Sequence, residues 1–84
     1  MATVVLTDEA AAQLDELEIR KHVRVLKLLQ RLEKWPRVSG AKPLRGDLTG
    51  RYRLRTGDFR VQFQVAGDMV VVEKIGHRDG FYKD

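Results

Sequence analysis

Arg51, Arg53, Arg55 and Arg60 lie in the stretch Leu48 to Arg60, LTGRYRLRTGDFR, whose polar positions are almost all arginine. A guanidinium group is planar, permanently charged and forked, so it grips phosphate or carboxylate oxygens two at a time. Residues at every second position share one face of a β-strand. Arg51, Arg53 and Arg55 therefore fall on one face, and Tyr52 and Leu54 on the other. After the turn Thr56-Gly57-Asp58, Arg60, Gln62 and Gln64 alternate with Phe59, Val61, Phe63 and Val65. Pairing the two strands builds one apolar face for a core and one face lined with guanidinium groups. The chemistry on offer is anion binding.

The charge distribution agrees. The 84 residues carry a formal net charge of +4. Residues 42–60 hold six Lys/Arg against two Asp/Glu, whereas residues 1–41 hold seven against six and residues 61–84 three against four. The excess coincides with the arginine stretch and points to a polyanionic partner, either nucleic acid or an acidic protein segment. On a helix such a run reads as a solvated face. On a strand pair the crowded arginines repel one another unless something anionic is bound. The chain has no cysteine, which excludes a disulfide scaffold and thiolate chemistry and fits a reducing compartment. No apolar run approaches the roughly 20 residues of a membrane span. The opening MATVVLTDEA lacks the basic region and cleavage site of a signal peptide, so the expected location is cytoplasmic. His22 and His77, the two histidines, show no metal-ligand spacing with the scattered carboxylates, so neither a metal site nor a cofactor is expected.

These residues need elements to hold them, and the pattern predicts a single domain over 1–84. Thr3–Leu6 reads as a strand. Thr7 and Asp8 are candidate caps of a helix to about Leu17, with Ala11, Leu14 and Leu17 inward. A longer helix covers about Ile19 to Lys34, with Ile19, Val23, Leu26, Leu29 or Val25, and Leu32 as its core stripe. Arg20, Lys21, Arg24, Lys27 and Arg31 occupy its other face. A helical hairpin requires a break near Glu18, although no Gly or Pro marks one. Trp35-Pro36 ends the second helix, with Trp35 an anchor at the core or its rim. A loop through Pro43 and a transitional stretch to Gly50 lead to strands at about Arg51–Arg55, Phe59–Ala66 and Met69–Ile75. The expected fold class is α+β, ordered β-α-α-β-β-β. The helical hairpin packs on one face of a mostly antiparallel four-stranded sheet, and the arginines take the open face. Glu73 alternates with Val71 and Ile75 and receives no catalytic role.

Lys42-Pro-Leu-x-Gly-x-Leu-x-Gly-x-Tyr-Arg-x-Arg, then Gly57-Asp-Phe-Arg60-Val, Ile75-Gly-His-Arg78 and Tyr82 resemble the RelE/ParE superfamily along the whole chain. These are the toxins of bacterial type II toxin–antitoxin pairs. The resemblance implies a RelE-like fold and a small cytoplasmic toxin held inactive by a cognate antitoxin. It further implies, for the RelE-like branch, an endoribonuclease that cuts mRNA in the ribosomal A site. The ParE-like branch poisons DNA gyrase on the same fold. Position by position, Arg53 and Arg55 match the basic pair of the family's second strand, where lysine is common. Arg60 matches the third-strand arginine, Arg78 the arginine after the last strand, and Tyr82 the C-terminal tyrosine.

Metal-independent RNA cleavage uses the 2′-hydroxyl as nucleophile on the adjacent phosphate. It needs a base, an acid for the leaving 5′-oxygen, and cations for the charge on the phosphoryl oxygens. Arg60 and Arg78 suit the last role. Tyr82 is a candidate general base, since neighbouring cations favour phenolate, and His77 is the runner-up. Arg53 and Arg55 complete the catalytic set, but arginine in place of lysine cannot give up a proton. Lys42, Arg45, Arg51 and His77 are the candidate RNA-binding residues. The leading expectation is a ribosome-dependent mRNA interferase with ribosome, mRNA and antitoxin as partners, no membrane and no small-molecule cofactor. The alternatives are a ParE-like gyrase inhibitor without nuclease activity, or an inactive homologue that only binds its antitoxin.

Overall fold

The computed structural model describes residues 1–77. Its elements are β1 (Thr3–Leu6), α1 (Asp8–Asp15), α2 (Ile19–Leu32), β2 (Lys42–Pro43), a short 3-10 turn (Gly46–Leu48), β3 (Arg51–Thr56), β4 (Phe59–Ala66) and β5 (Met69–His77). The sheet order is β1-β5-β4-β3-β2. All neighbours are antiparallel except β1 and β5, which run parallel. The sheet thus has five strands rather than the expected four. The addition is two residues long, where the loop before β3 turns back and lays Lys42 opposite Arg53 and Pro43 opposite Tyr52. A strand this short at an edge, containing proline, offers almost nothing for another chain to pair with.

Caps delimit the helices. The Thr7 hydroxyl accepts from the Ala10 amide at the start of α1, and the Glu18 carboxylate accepts from the Lys21 amide at the start of α2. The break between the helices is therefore made by Glu18 acting as an N-cap, which explains why neither Gly nor Pro is needed there. Both β3–β4 and β4–β5 turn through Gly-Asp pairs. Gly57 and Gly67 adopt φ of +58° and +59°, and no non-glycine residue among the described residues has positive φ, the pattern of tight hairpins with glycine at the first central position.

The core lies between the helices and one face of the sheet. Its buried members are Ala10 and Leu14 from α1, Val25, Leu28, Leu29 and Leu32 from α2, and Leu54, Phe59, Val61, Phe63, Val70, Val72 and Ile75 from the sheet. This corrects the helical stripes. Ala10 rather than Ala11 is buried on α1, and Ile19, Val23 and Leu26 are exposed on α2. The second helix carries two apolar stripes of similar period, and packing on the sheet selects the one containing Val25, Leu28 and Leu32. Trp35 fulfils the anchoring role: its ring meets those of Tyr52 and Phe63 edge-on at 4.8 and 5.3 Å, and Tyr52 stacks on Phe63 at 5.7 Å.

Beyond Val72, β5 outruns β1 and would present unpaired backbone groups. Thr7, between β1 and α1, and Gln13 of α1 cover them. The Thr7 amide donates to Val72 O, its hydroxyl to Glu73 O, and the Ile75 amide donates to Gln13 Oε1 at 2.7 Å. A Gln13→Ala variant leaves that amide without its acceptor, and a loss of about 1–2 kcal/mol is expected. Urea melts of the variant against the parent protein measure it directly.

Candidate functional site

The register sorts the polar residues into rows across the open face. Side chains of directly opposed residues share a face and lie about 4.5–5.5 Å apart at Cβ. Lys42 opposes Arg53, Arg53 opposes Gln62, and Gln62 opposes Lys74, which makes one row spanning four strands. In the next row, nearer the β3–β4 turn, Arg55 opposes Arg60 and Arg60 opposes Gly76. Gly76 adds no side chain to that row. The row on the other side contains Arg51, opposite Gln64.

Arg51 differs from its neighbours. Its Nε donates to Glu73 Oε1 at 2.6 Å, and the two form an ion pair. The hydrogen bond and the charge of that carboxylate push the guanidinium still further up from its ordinary pKa, so Arg51 stays charged but is locally neutralised. Arg55 and Arg60, in contrast, have no carboxylate partner among the described residues. Arg60 donates from Nη1 to Gly57 O at 3.4 Å, a contact that draws it toward the turn. Like charges directly opposed across two strands oppose folding, by roughly 0.2–1 kcal/mol per pair. The helix layer adds to this charge: a Cβ built on Gly57 would lie 3.0 Å from Arg24 Nη1, so that guanidinium reaches the same turn.

The β5 register contains a bulge. Val61 opposes Ile75 and Gln62 opposes Lys74, but Phe63 opposes Val72, which leaves Glu73 as an extra residue. Simple alternation puts Lys74 on the core side. The bulge shifts the phase by one, turns Ile75 inward and brings consecutive Glu73 and Lys74 to the arginine face. Bulges serve elsewhere to re-aim a side chain beside a functional site. Here one supplies an amine, at the far end of the row from Lys42, to a face whose other cations are guanidinium groups. The sequence signal lies in the spacing of the buried positions Val70, Val72 and Ile75, which steps by two and then by three.

Of the residues expected to form the site, Lys42, Arg53, Arg55 and Arg60 come together, and Lys74 joins them. Arg51 lies one row away in its ion pair. Arg45 is exposed at the start of the 3-10 turn, before β3. His77 opposes Phe59, whose ring is in the core, and meets that ring edge-on at 5.5 Å. It therefore sits on the helix side at the sheet's end, with Nε2 4.0 Å from the Asp58 carboxylate, rather than among the arginines. His22 bridges the hairpin, its Nδ1 3.0 Å from Leu14 O. Arg78 and Tyr82 lie outside the described residues. No group of three or more His, Cys, Asp or Glu among the described residues could hold a metal ion. No helix there is long and apolar enough to cross a membrane.

A helical hairpin backing one face of a small, mostly antiparallel sheet is the fold this chain shares with type II toxins of the RelE/ParE superfamily. More particularly, the family described as the ParE toxin of the type II toxin–antitoxin system parDE matches residues 4–80, and the chain belongs to that family. Solved structures agree on the fold. The toxin–antitoxin complex RelBE2 of Mycobacterium tuberculosis is similar at 26% identity and a TM-score of 0.81, over 92% of this chain and 98% of that one. The archaeal RelE–RelB complex of Pyrococcus horikoshii is similar at 26% identity and a TM-score of 0.71, over 92% and 94%. The isolated RelE toxin of E. coli shares the fold at 21% identity and a TM-score of 0.77, over 92% and 84%. No curated protein sequence matches the chain.

Proposed function

We propose that this toxin is a ribosome-dependent endoribonuclease that cleaves mRNA in the A site. The observation that carries the reading is the Arg55–Arg60 opposition, with Gly76 beside it and Arg53 and Lys74 in the adjoining row. The 2′-oxygen attacks the adjacent phosphorus, the P–O5′ bond breaks, and the products are a 2′,3′-cyclic phosphate and a 5′-hydroxyl. Charge accumulates on the non-bridging oxygens, where two forked guanidinium groups stabilise it more strongly than in the ground state. Lys74 is the side chain assigned to pass a proton to the leaving 5′-oxygen, a transfer for which arginine is unsuited. Arg78 and Tyr82 belong to the proposed set on the resemblance alone, with Tyr82 as base. Lys42, Arg45 and Arg51 contact the RNA backbone. The ribosome positions the 2′-hydroxyl, so naked RNA is a poor substrate. A cognate antitoxin holds the toxin inactive, as the complexes of its structural neighbours suggest.

The family match favours a second reading, inhibition of DNA gyrase through the same basic face. One pair of assays separates them: primer extension on mRNA in a reconstituted translation mixture, and gyrase supercoiling of plasmid DNA. A-site cuts with supercoiling intact support the nuclease. Intact mRNA with supercoiling blocked transfers the face to gyrase.

A further inference from the structure

Across β3, β4 and β5 the one acidic residue is Glu73, and it stands on the face where the arginines collect. Its partner is not on a neighbouring strand. Arg51 belongs to β3 and Glu73 to β5, so their 2.6 Å hydrogen bond passes over β4. Neighbouring strands are about 4.7–4.9 Å apart, so the pair bridges roughly twice that distance. As the extra residue of the bulge, Glu73 has no residue of its own opposite it on β4. The Thr7 hydroxyl donates to its carbonyl oxygen and holds the bulge from the helix side. The ion pair is partly shielded from water, with side chains 31% and 20% exposed. It occupies Nε of Arg51 and balances the charge, whereas Arg55 and Arg60 have no carboxylate partner among the described residues.

We propose that Glu73 is a specificity-determining residue that restrains Arg51 against free RNA, so that productive binding depends on the ribosome presenting the message. The inference rests on the nuclease reading and deepens it. A phosphate that took over Arg51 completely would displace a charge-assisted hydrogen bond and leave a half-buried carboxylate unpaired beside a polyanion. Arg51 therefore reaches RNA through its two terminal nitrogens alone and contributes less than a free guanidinium. In solution each neutralised phosphate counts, because counterion release drives the binding of nucleic acids. On the ribosome the message is already held in place, and the missing contact costs little. Glu73 is the repulsive element in an otherwise attractive face, and discrimination between partners commonly uses both.

The test titrates a fluorescent, fully 2′-O-methylated single-stranded RNA, which lacks the attacking hydroxyl, with the intact chain at several salt concentrations. Glu73→Gln keeps the shape of the side chain and an acceptor for Nε while removing the charge. It should bind tighter, with log affinity falling more steeply against log salt by about 0.7, the increment for one more phosphate on a single strand. Arg51→Gln should remove that gain in the Glu73→Gln background and affect the parent less than Arg60→Gln does. Unchanged or weaker binding by Glu73→Gln would overturn the proposal. A gain that survives Arg51→Gln would do so too, since Glu73 would then repel phosphate without acting through Arg51. Equal losses from Arg51→Gln and Arg60→Gln in the parent would also overturn it, and that comparison does not require Glu73→Gln to fold. Cleavage keeps the underlying reading separate. The ratio of naked-RNA to A-site cleavage should rise in Glu73→Gln, whereas the expected salt pattern with no A-site cuts by the parent would remove the nuclease reading and leave the restraint on Arg51 standing.

Discussion

On the nuclease reading proposed above, an Arg60→Gln variant is expected to lose A-site cleavage by a factor of about 10²–10³ while its folded state becomes slightly more stable. The loss follows from removing one preorganised donor from the charge that develops on the phosphoryl oxygens, with the magnitude seen for a single oxyanion-stabilising group. The gain follows from the register, since Arg60 directly opposes Arg55 and neither has a carboxylate partner among the described residues. Relief of that repulsion amounts to roughly 0.2–1 kcal/mol, and the lower end applies because both side chains reach water, which screens them. The opposed signs are informative. A residue kept for packing loses stability when replaced, whereas one kept for anion binding relaxes the free protein. Primer extension reads the first effect and thermal melting the second. Reduced stability with cleavage retained would remove Arg60 from the site. The same opposition predicts that added phosphate raises the melting temperature of the parent protein more than that of the variant, since a ligand bound only to the folded state stabilises it.

The arginine face was legible because strand alternation is a strong signal and the charged residues keep to it from Arg51 to Arg60. The tight turns were legible for the same kind of reason, in that Gly57 and Gly67 stand where positive φ is needed. Three features were less accessible. The core side of α2 could not be chosen from period alone, since Val25, Leu28 and Leu32 compete with Ile19, Val23 and Leu26 and only packing against the sheet decides between them. The bulge at Glu73 uses no glycine, so the one clue was the uneven spacing of Val70, Val72 and Ile75. The two-residue β2 is pairing without periodicity, and a strand of Lys42 and Pro43 has no pattern to detect. The consequence for the site is specific: alternation assigns Lys74 to the core, and the fold turns it to the arginines.

Phe63→Ala is the substitution expected to cost most in the scaffold. Phe63 is fully buried and its ring contacts both Trp35 and Tyr52, at 5.3 and 5.7 Å. It also sits at the register shift, opposite Val72, on the strand that carries Arg60 and Gln62. Truncating a buried phenylalanine costs about 3–5 kcal/mol through lost transfer energy and the cavity left behind. A domain of this size has a total stability of about 4–13 kcal/mol at the usual 0.05–0.15 per residue, so the variant loses a large share of it. Unfolding in urea should shift to a much lower midpoint with the slope retained. Phe63→Leu keeps most of the volume and should lose less than half as much. Cleavage by Phe63→Ala should track its folded fraction, recovering at low temperature, whereas Arg60→Gln stays inactive at every temperature at which it is folded. If Phe63→Ala were inactive while fully folded, the aromatic cluster would be holding the arginine rows in place as well as filling the core. A near-native urea midpoint, with normal cleavage, would mean that the cluster of Trp35, Tyr52 and Phe63 closes over the cavity and contributes far less than its burial implies.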